Sequence, residues 1–308
     1  MRIIHSPGES GHADQSVCVA IGFFDGVHLG HQQILRQTVA DARQHEATSL
    51  VITFDQHPNT IVAPARVPPL IYSLPQKLRT IETLGIELLW LAHFDQALSQ
   101  TSGEDFVRGV MQAFGQIRSI CVGANFVFGR NRSCNVELLS RLGAQLNFTV
   151  HGLAAVSLDG LAVSSTRIRG AVQGGELDQT SQMLGRSYSL AGKVVAGDRL
   201  GRTLGFPTAN LEVAGLVLPP TGVYAAHALL PGGQSHRAVL NLGHRPTIGG
   251  AEAPLRVEAH LLDFHGELYD QTLELVLLAK LRDERKFDSL ADLREQIGHD
   301  IKAAEHCF

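Results

Sequence analysis

The 308-residue sequence has few cysteines, no long apolar run and no excess of basic charge, and each lack excludes a class of protein. Its four cysteines are scattered without a C-x-x-C pair, so they indicate neither a disulfide framework nor a zinc site. No run approaches the ~18 apolar residues that a membrane-spanning helix needs, and the first residues lack the apolar core of a signal peptide. These features predict a cytoplasmic protein with reduced thiols and no membrane contact.

The charge balance bears on the expected partners. A formal net charge of -4 provides no overall basic surface, so no nucleic acid is expected as a partner. The composition is 44% hydrophobic and 18% charged, which allows a sizeable buried core, and the length allows about two domains. Small-molecule substrates are therefore the expected ligands, and nothing in the sequence identifies a protein partner.

The first half alternates apolar runs with amphipathic stretches. Helical periodicity falls at 34–42, 75–84, 106–114 and 136–142, between runs typical of buried strands at 17–21, 49–54, 88–91, 120–122 and 148–150. Repeated strand–helix units with apolar strands predict a parallel sheet that is covered on both faces. Ligands in such folds bind beyond the carboxyl ends of the strands.

A glycine-rich turn, G-F-F-D-G-V-H-L-G-H at 22–31, leaves the first of these strands and opens a helix. Two histidines, His28 and His31, stand at the start of that helix. A helix N-terminus favours phosphate because of its orphan N–H groups and partial positive charge, and glycines let the backbone approach closely. The imidazoles can donate to oxygens that gain charge in a transition state. The turn therefore predicts a nucleotide site.

This turn resembles the HxGH signature of the nucleotidylyltransferase superfamily, in the longer and more specific form F-D-G-V-H-L-G-H-Q at 24–32. Two more segments resemble elements of bacterial FAD synthetases: T-F-D-Q-H-P at 53–58 and V-S-S-T-R-I-R at 163–169. In the second of these, hydroxyls and N–H groups at a helix start, followed by arginines, predict a clamp for the leaving pyrophosphate.

Near Arg186 the pattern changes to short alternating runs separated by Gly and Pro, at 188–195, 223–230, 237–242, 256–262 and 272–278. Period-two patterning with such turns predicts a small antiparallel barrel, closed by a final helix at about 290–304. The stretch at 173–185 is interpreted as the last α/β element and a linker. We therefore expect an α/β domain at 1–184 and a barrel domain at 185–308.

The barrel region carries its own phosphate motif. G-K-V-V at 192–195 and G-D-R-L-G-R-T-L-G-F-P-T-A-N at 197–210 resemble the riboflavin kinase signature almost residue for residue, and no Walker A loop is present. Glycines around the turn allow main-chain contact with ATP phosphates, and Thr208 and Asn210 offer neutral oxygens suited to Mg²⁺. Further segments follow in the order of that family at 219–224, 241–247, 257–263, 268–269 and 281–287.

Together the motifs resemble the bacterial bifunctional riboflavin kinase/FAD synthetase family from about residue 17 to 301. The resemblance implies a Rossmann-like nucleotidylyltransferase domain followed by a riboflavin kinase barrel with a C-terminal helix. It implies that ATP phosphorylates riboflavin to FMN, and that a second ATP adenylylates FMN to FAD with release of pyrophosphate. Mg²⁺ is the expected cofactor, and ATP, riboflavin and FMN are the expected substrates.

The resemblance also implies roles for individual residues. The expected catalytic residues are His28 and His31, which would stabilise charge on the α-phosphate, and Glu258, which would take the proton of the riboflavin 5′-hydroxyl. Ser164, Thr166 and Arg167 are expected to hold pyrophosphate. The remaining expected nucleotide- and flavin-binding residues are Gly22, Phe24, Asp25, Gly26, His57, Pro58, Asn125, Gly192, Lys193, Gly205, Pro207, Thr208, Asn210, Arg282 and Arg285. Thr208 and Asn210 are also the expected metal ligands.

Departures from the family pattern leave two alternatives open. Phe23 stands where relatives often have Asn, and R-N-R-S-C-N at 130–135 replaces a loop that usually carries Gly-Asp; both bear on flavin handling in the adenylyl site. Ala196 occupies a common His position and Asp270 a common Gly position, and both are expected to be tolerated. One alternative is a riboflavin kinase with a weakened adenylyltransferase. The other is a non-catalytic flavin-binding regulator, against which the complete motifs of both halves argue.

Overall fold

The computed structural model describes residues 1–9, 11, 16–198, 200–244 and 255–308, and it divides into two compact units. The first unit contains residues 1–68 and 74–165, and the second contains residues 69–73 and 166–308. Arg199 and positions 245–247 of the motif at 241–247 lie outside the described residues. Each helix in the described part of the chain is too short or too polar to cross a membrane.

The first unit is built on a six-stranded sheet in the order β1-β4-β3-β2-β5-β8, and all of its strand pairs are parallel. The predicted parallel sheet is confirmed. Its strands and helices are, in chain order, β1 (Arg2–Ile4), β2 (Ser16–Ile21), α1 (Leu29–Gln44), β3 (Thr48–Phe54), α2 (Asn59–Val62), α3 (Leu74–Glu82), β4 (Leu88–Ala92), α4 (Gln96–Gln100), α5 (Gly103–Phe114), β5 (Gln116–Gly123), β6 (Val127–Phe128), β7 (Cys134–Asn135), α6 (Val136–Leu146), β8 (Thr149–Leu153), β9 (Ser157–Leu158) and β10 (Leu161–Ala162).

Successive side chains of the central strands point to opposite faces and fill two separate cores. Val19 and Ile52 pack on one face with α5 and α6, whereas Ala20 and Val51 pack on the other with α1 and α3. The strand residues are buried on both faces, which explains why their runs are continuously apolar rather than alternating.

The order of the sheet locates the site. From β2 the chain proceeds outward to β3 and β4, beyond which β1 forms the edge of the sheet, and it then crosses to β5 and β8 on the other side of β2. The crevice beyond the carboxyl ends of β2 and β5 is therefore the switch point of the sheet, where ligands bind in open α/β folds. Gly22 is the first residue after β2, so the glycine-rich turn lies at this switch point. The sequence pattern missed β1, because only one of its three residues is buried.

The second unit contains a closed barrel in the order β11-β12-β15-β14-β13-β16, and all of its strand pairs are antiparallel. The predicted barrel and its C-terminal helix are confirmed, although the three-residue strand β12 was not predicted. The elements are α7 (Ser165–Gln173, whose first residue belongs to the first unit), α8 (Leu177–Leu184), β11 (Ser189–Val195), α9 (Leu200–Leu204), β12 (Ala209–Leu211), β13 (Gly222–Leu229), β14 (Ser235–His244), β15 (Leu255–Leu261), β16 (Thr272–Arg282) and α10 (Leu290–Ala304).

A short segment from the first half of the sequence, residues 69–73, packs as part of the second unit. Leu70 forms a parallel bridge with Leu216, and the ring of Tyr72 lies against the guanidinium of Arg186, which also donates to the Tyr72 hydroxyl at 3.1 Å. Helix α8 belongs to the same unit and buries Leu177 and three of its other residues. The domain boundary at 184/185 stays a prediction, whereas the packing units separate at 165/166.

Candidate functional site

The backbone of the turn after β2 adopts an uncommon conformation. Phe24, Gly26 and Val27 have φ angles of 54°, 74° and 40°, in the left-handed region. A β-branched residue such as Val27 rarely occurs there, and each such residue costs on the order of 1–3 kcal/mol. Strain of this kind persists only where the surroundings hold the chain in place. It is typical of a functional turn.

Three contacts hold this turn. The ring of Phe24 is buried against Gly22, where a Cβ atom would lie 2.9 Å from the ring, so only glycine fits there. The side-chain amide of Gln32 donates to the carbonyl of Val27 at 3.0 Å, and the hydroxyl of Ser165 donates to the carbonyl of Asp25 at 3.1 Å. The turn is thus tied to its own helix and to Ser165, a residue of the same unit.

The two predicted histidines lie side by side at the start of α1. Their rings stack with centroids 3.6 Å apart. His28 is the N-cap residue of the helix, and its Nδ1 accepts from the backbone N–H of His31 at 3.4 Å. Because Nδ1 accepts, a neutral His28 ring carries its proton on Nε2 and can donate from there. A donor at the positive end of a 16-residue helix suits a phosphate oxygen.

The predicted residues His57 and Pro58 lie in the neighbouring loop, after β3. The rings of His57 and Phe23 form a T-shaped contact with centroids 4.8 Å apart, and His57 Nδ1 accepts from the backbone N–H of Asn59 at 3.0 Å. Pro58 precedes the short helix α2. The loops after β2 and β3 therefore meet beyond the carboxyl edge of the sheet.

A cavity of about 1040 Å³ opens beside these two loops, within the first unit. Its size is just above the range for ligand pockets, roughly 300–1,000 Å³. The predicted residues Gly22 and Pro58 line it, and Arg66 and Arg132 supply positive charge. Six phenyl rings contribute to the wall, from Phe23, Phe54, Phe94, Phe106, Phe126 and Phe128. An aromatic wall with arginines suits a flat ring system that carries phosphate.

The segment at 130–135 contributes unevenly to this cavity. Asn131 and Arg132 line it, whereas Cys134 is buried in the core, where it packs against Gly103. A Cβ atom on Gly103 would lie 2.4 Å from the Cβ of Cys134, so the cysteine is accommodated by a glycine opposite. Asn125, a predicted binding residue, is exposed in the turn that follows β5, next to Phe126.

The predicted pyrophosphate clamp lies at the start of α7. Ser164 directly precedes the helix and is half-buried, Thr166 is exposed, and Arg167 is half-buried. Arg169 donates to the carbonyl of Pro69 at 2.6 Å. Since residues two apart on a helix do not share a face, Arg169 does not extend the predicted clamp beyond Arg167.

In the second unit, the strand register brings three of the predicted kinase residues together: Asn210, Glu258 and Arg282. Antiparallel pairing places Asn210 opposite Glu258, Glu258 opposite Asn241, Asn241 opposite Val223, and Val223 opposite Arg282. These five residues form one row across β12, β15, β14, β13 and β16. Residues that are far apart in sequence therefore meet on one side of the barrel.

A second cavity, of about 260 Å³, lies along this row. Four predicted residues line it: Thr208, Glu258, Arg282 and Arg285. His260 lines it as well, and its Nδ1 lies 2.8 Å from the carbonyl of Pro207. Because a carbonyl only accepts, Nδ1 of His260 carries the proton, and His260 fixes the turn that presents Thr208.

The arginines at the cavity edge are held by the C-terminal helix. Arg282 makes two hydrogen bonds to the buried carboxylate of Asp300, at 2.8 and 2.7 Å, and Gln296 donates to the same carboxylate at 2.7 Å. Arg285 donates to Gln296 and lies over the ring of Phe287. The predicted Arg282 therefore also anchors α10 to the end of β16.

The other predicted kinase residues lie at the rim or outside the cavity. Gly192 faces the backbone of Glu212, whose oxygen would lie 2.2 Å from a Cβ atom, so this glycine permits a close strand approach. Lys193 is exposed and pairs with Asp270 at 2.7 Å, which raises the pKa of Lys193. Asp270 has a φ of 64°, a left-handed conformation that aspartate tolerates better than most residues. Gly205 is exposed with a φ of 90°.

The two expected metal ligands lie close to this cavity. Thr208 lines it, and Asn210 is the cross-strand neighbour of Glu258, with its side-chain amide packed against Gly197. Neutral side-chain oxygens beside a carboxylate suit a Mg²⁺ ion that keeps waters and substrate phosphates in its shell. The residues therefore fit the cation that the family resemblance implies. Within the described residues, no cluster of three or more His, Cys, Asp or Glu side chains could hold a metal ion.

Several residues of these sites were not predicted, among them Asn241, His260 and Asp300 at the second cavity. Another is Lys77, whose ammonium group donates to the carbonyls of Phe23 and Phe54. Lys77 had a detectable signal, because it stands three residues after Leu74 and four before Ile81, on the buried face of α3. Asn241 and His260 lie inside segments that the family motifs already cover. Asp300 carries no local signal, since its partner Arg282 lies on another element.

Comparison with known proteins gives family matches for both units. A family model described as FAD synthetase matches residues 10–167, and one described as Riboflavin kinase matches residues 184–308. The chain is 38% identical to the bifunctional riboflavin kinase/FMN adenylyltransferase of Pseudomonas fluorescens, over 93% of this chain and 92% of that protein. It is 33% identical to the protein of the same name from Escherichia coli strain K12, over 100% of this chain and 98% of that protein.

A solved structure shares the architecture over nearly the whole length. It is described as a macrolide-efflux protein from Streptococcus pneumoniae, has a TM-score of 0.83 and 27% sequence identity, and is matched over 99% of both chains. That likeness supports the order of the two units along the chain, an α/β unit followed by a barrel.

Proposed function

The chain belongs to the family of bifunctional riboflavin kinase/FMN adenylyltransferases, and we propose which residues of each unit carry the two reactions. It is an enzyme that phosphorylates riboflavin to FMN and adenylylates FMN to FAD. Adenylylation is assigned to the first unit and phosphorylation to the second. ATP, riboflavin and FMN are the substrates, whereas dependence on Mg²⁺ and the expected cytoplasmic location stay predictions.

In the first unit, the flavin ring occupies the phenyl-lined cavity, and the triphosphate of ATP lies over the turn at 22–31. The FMN phosphate attacks the α-phosphorus, the new P–O bond forms, the bond to the β-phosphate breaks, and pyrophosphate leaves. His28 donates from Nε2 to an α-phosphate oxygen, and the start of α1 favours the charge that develops there. For the pyrophosphate, the sequence motif implies Ser164 of this unit and Thr166 and Arg167 of the second unit. No covalent intermediate with the enzyme is needed.

The observation that carries this assignment is the stacked pair of His28 and His31 at the helix start, at the end of the turn whose first residues, Gly22 and Phe23, line the large cavity. Two imidazoles fixed at 3.6 Å between centroids, at the positive end of a helix, form a preorganised donor set for phosphate. Phenyl rings alone would bind many apolar ligands. Their combination with an anion site favours a flavin that carries phosphate.

In the second unit, Glu258 takes the proton of the riboflavin 5′-hydroxyl as this oxygen attacks the γ-phosphorus of ATP, and ADP leaves. A carboxylate suits this step, because a loose phosphoryl-transfer transition state mostly requires a well-placed alcohol. Asn241 and Asn210 flank Glu258 in the strand register and limit where the alcohol can bind. Mg²⁺ held by Thr208 and Asn210 would supply charge neutralisation to the phosphates.

The deciding experiment incubates the full chain with riboflavin, ATP and Mg²⁺ and separates the products by chromatography. We expect both FMN and FAD. FMN alone would indicate a weakened adenylyltransferase, and the absence of both products would indicate a non-catalytic flavin-binding protein. Omission of Mg²⁺ with a chelator present is expected to stop both reactions and tests the predicted cofactor.

A further inference from the structure

Lys77 is a buried cation that the mechanism above does not use. It lies on α3 and is 4% exposed. Its ammonium group donates to the carbonyl of Phe54 at 2.9 Å, to the carbonyl of Phe23 at 3.2 Å and to the hydroxyl of Thr53 at 3.3 Å. All three partners lie at the carboxyl ends of strands, beside the cavity of the first unit.

These partners belong to two neighbouring strands. β2 and β3 pair in parallel, with Ile21 opposite Ile52. Phe23 lies two residues after the end of β2, and Phe54 is the last residue of β3. The loop after β2 contains the turn with His28, and the loop after β3 contains His57. One ammonium group therefore binds the chain where both loops begin. The Thr53 hydroxyl, which donates to the Phe23 carbonyl at 3.1 Å, completes the same junction.

The charge of Lys77 also lies at the base of the glycine-rich turn, where its ammonium group donates to the carbonyl of Phe23. The carboxylates that act on it are those of Asp25, inside the turn, and Asp55, which itself binds His93 at 2.6 Å. The Phe23 ring lies 4.4 Å from the ammonium, and its centroid lies 4.8 Å from that of the His57 ring. Burial lowers the pKa of Lys77 from 10.5 to about 8, so the group is mostly a cation at pH 7.

We propose that Lys77 is a positioning residue for FMN adenylylation, whose ammonium group fixes the spacing of the two loops and holds positive charge behind the phosphate-binding turn. This proposal rests on the assignment of adenylylation to the first unit. Lys77 touches backbone carbonyls and a hydroxyl of the enzyme and acts on the reaction through them. A displacement of the turn by about 1 Å is enough to cost roughly 10²-fold in rate.

The test uses the full chain with Lys77→Met, Lys77→Arg and the control Arg108→Met, which removes an exposed cation from α5 in the same unit. FAD formation from FMN and FMN formation from riboflavin are measured separately from pH 6.5 to 10. We expect Lys77→Met to lower kcat/KM for FAD formation about 10²-fold and to leave FMN formation unchanged. Arg108→Met is expected to leave both reactions unchanged.

The pH dependence of kcat/KM shows whether Lys77 acts through its positive charge or only by filling space in the core. In the wild type, kcat/KM for FAD formation is expected to fall as the pH rises through about 8, because this profile reports groups of the free enzyme and Lys77 loses its proton there. Lys77→Arg restores part of the rate and moves this fall to higher pH, since a guanidinium stays charged. Lys77→Met abolishes the fall.

Three results would overturn the proposal: FAD formation by Lys77→Met within twofold of wild type, an equal loss of both activities, or an unchanged alkaline fall in Lys77→Met. His28→Ala is measured alongside as a check on the assigned site. If His28→Ala still makes FAD at the wild-type rate, the proposed adenylylation site is wrong, whatever the lysine variants do. If His28→Ala is inactive and Lys77→Met is active, only the role of Lys77 is wrong.

Discussion

The ammonium group of Lys77 lies 4.4 Å from the centre of the Phe23 ring and 3.2 Å from the carbonyl oxygen of the same residue. Position 23 is one of the departures that left a weakened adenylyltransferase open. In the structure the ring has two partners, the cation of Lys77 and the ring of His57, and it lines the cavity. The larger side chain is therefore packed into the site's wall rather than displacing the turn.

Lys77 makes the stability of the first unit depend on pH. Since its pKa is lowered to about 8, the unfolded chain binds a proton that the folded chain lacks between about pH 8 and 10.5. A state that binds more protons is disfavoured as the pH rises, so the free energy of unfolding increases across this window. At about 1.4 kcal/mol per pKa unit, the contribution is about 3 kcal/mol.

Trp90 allows this contribution to be measured, because it is the single tryptophan and lies in β4 of the first unit. We expect the difference in unfolding free energy between wild type and Lys77→Met, followed by urea and tryptophan fluorescence, to change by that amount between pH 8 and 10.5. The buried thiol of Cys121, whose pKa is raised to about 12, acts in the opposite direction but cancels in the difference. Parallel curves for the two proteins would contradict the prediction.

His28→Ala is expected to abolish FAD formation and to spare FMN formation. Loss of one preorganised donor typically costs about 3 kcal/mol, a factor on the order of 10² to 10³ in rate. His45→Ala is the matched control, because His45 is the exposed residue at the other end of α1. Conversion of FMN to FAD within a few-fold of wild type would show that His28 does not act in adenylylation.

The histidine pair could be predicted because it lies within ten contiguous residues, and its geometry follows from a strand, a turn and a helix in that order. Lys77 could not be assigned a role in the same way. Its partners Phe23 and Phe54 lie 54 and 23 positions away, and only the parallel pairing of β2 and β3 brings them together. The pattern shows that Lys77 is on a buried face but not what it binds.

The same distinction holds for the barrel. Glu258 could be proposed from its motif, whereas the row that joins it to Asn241 and Arg282 depends on the register of five strands, and alternating patterns do not specify register between distant strands. Nothing in the sequence indicated that residues 69–73 pack in the second unit, because Leu216, the partner of Leu70, lies about 145 positions further along the chain.

Glu258→Gln is expected to lower riboflavin phosphorylation by roughly 10²-fold or more, since the amide keeps the shape and hydrogen bonding but cannot take a proton. Adenylylation of supplied FMN is expected to remain at the wild-type rate. Glu267→Gln, an exposed position in the same unit, is the control. If phosphorylation persists at the wild-type rate, Glu258 is not the base, and if both reactions are lost together the variant has misfolded.

Two ion pairs of the second unit are expected to contribute very different amounts to the free energy of unfolding. Asp300→Ala removes the buried partner of Arg282 and leaves the charge of the arginine uncompensated, which costs about 3–5 kcal/mol of unfolding free energy. Asp263→Ala breaks an exposed pair with Arg237 and is expected to cost less than about 1 kcal/mol. Circular dichroism during denaturant unfolding measures both. Equal effects would show that the buried pair is not an anchor of α10.

Residues from Gly185 to Phe308 are expected to fold alone and to phosphorylate riboflavin. The cavity with Thr208 and Glu258 lies entirely within this range, about 120 residues suffice for an independent domain, and a closed barrel leaves no open sheet edge. The packing of α8 in the second unit leads to a second prediction, about the stability of a longer fragment. A longer fragment that begins at Thr166 retains the buried face of α8 and is expected to melt at a higher temperature.

Both fragments lack the segment at 69–73, so both are expected to be less stable than the second unit in the full chain, where Leu70 pairs with Leu216 and Tyr72 packs on Arg186. Thermal unfolding and FMN formation are measured on each fragment. Equal melting temperatures would show that α8 does not stabilise the barrel. A fragment that melts cooperatively but forms no FMN would show that the kinase site needs residues before Gly185, and that the boundary at 184/185 does not separate the two functions.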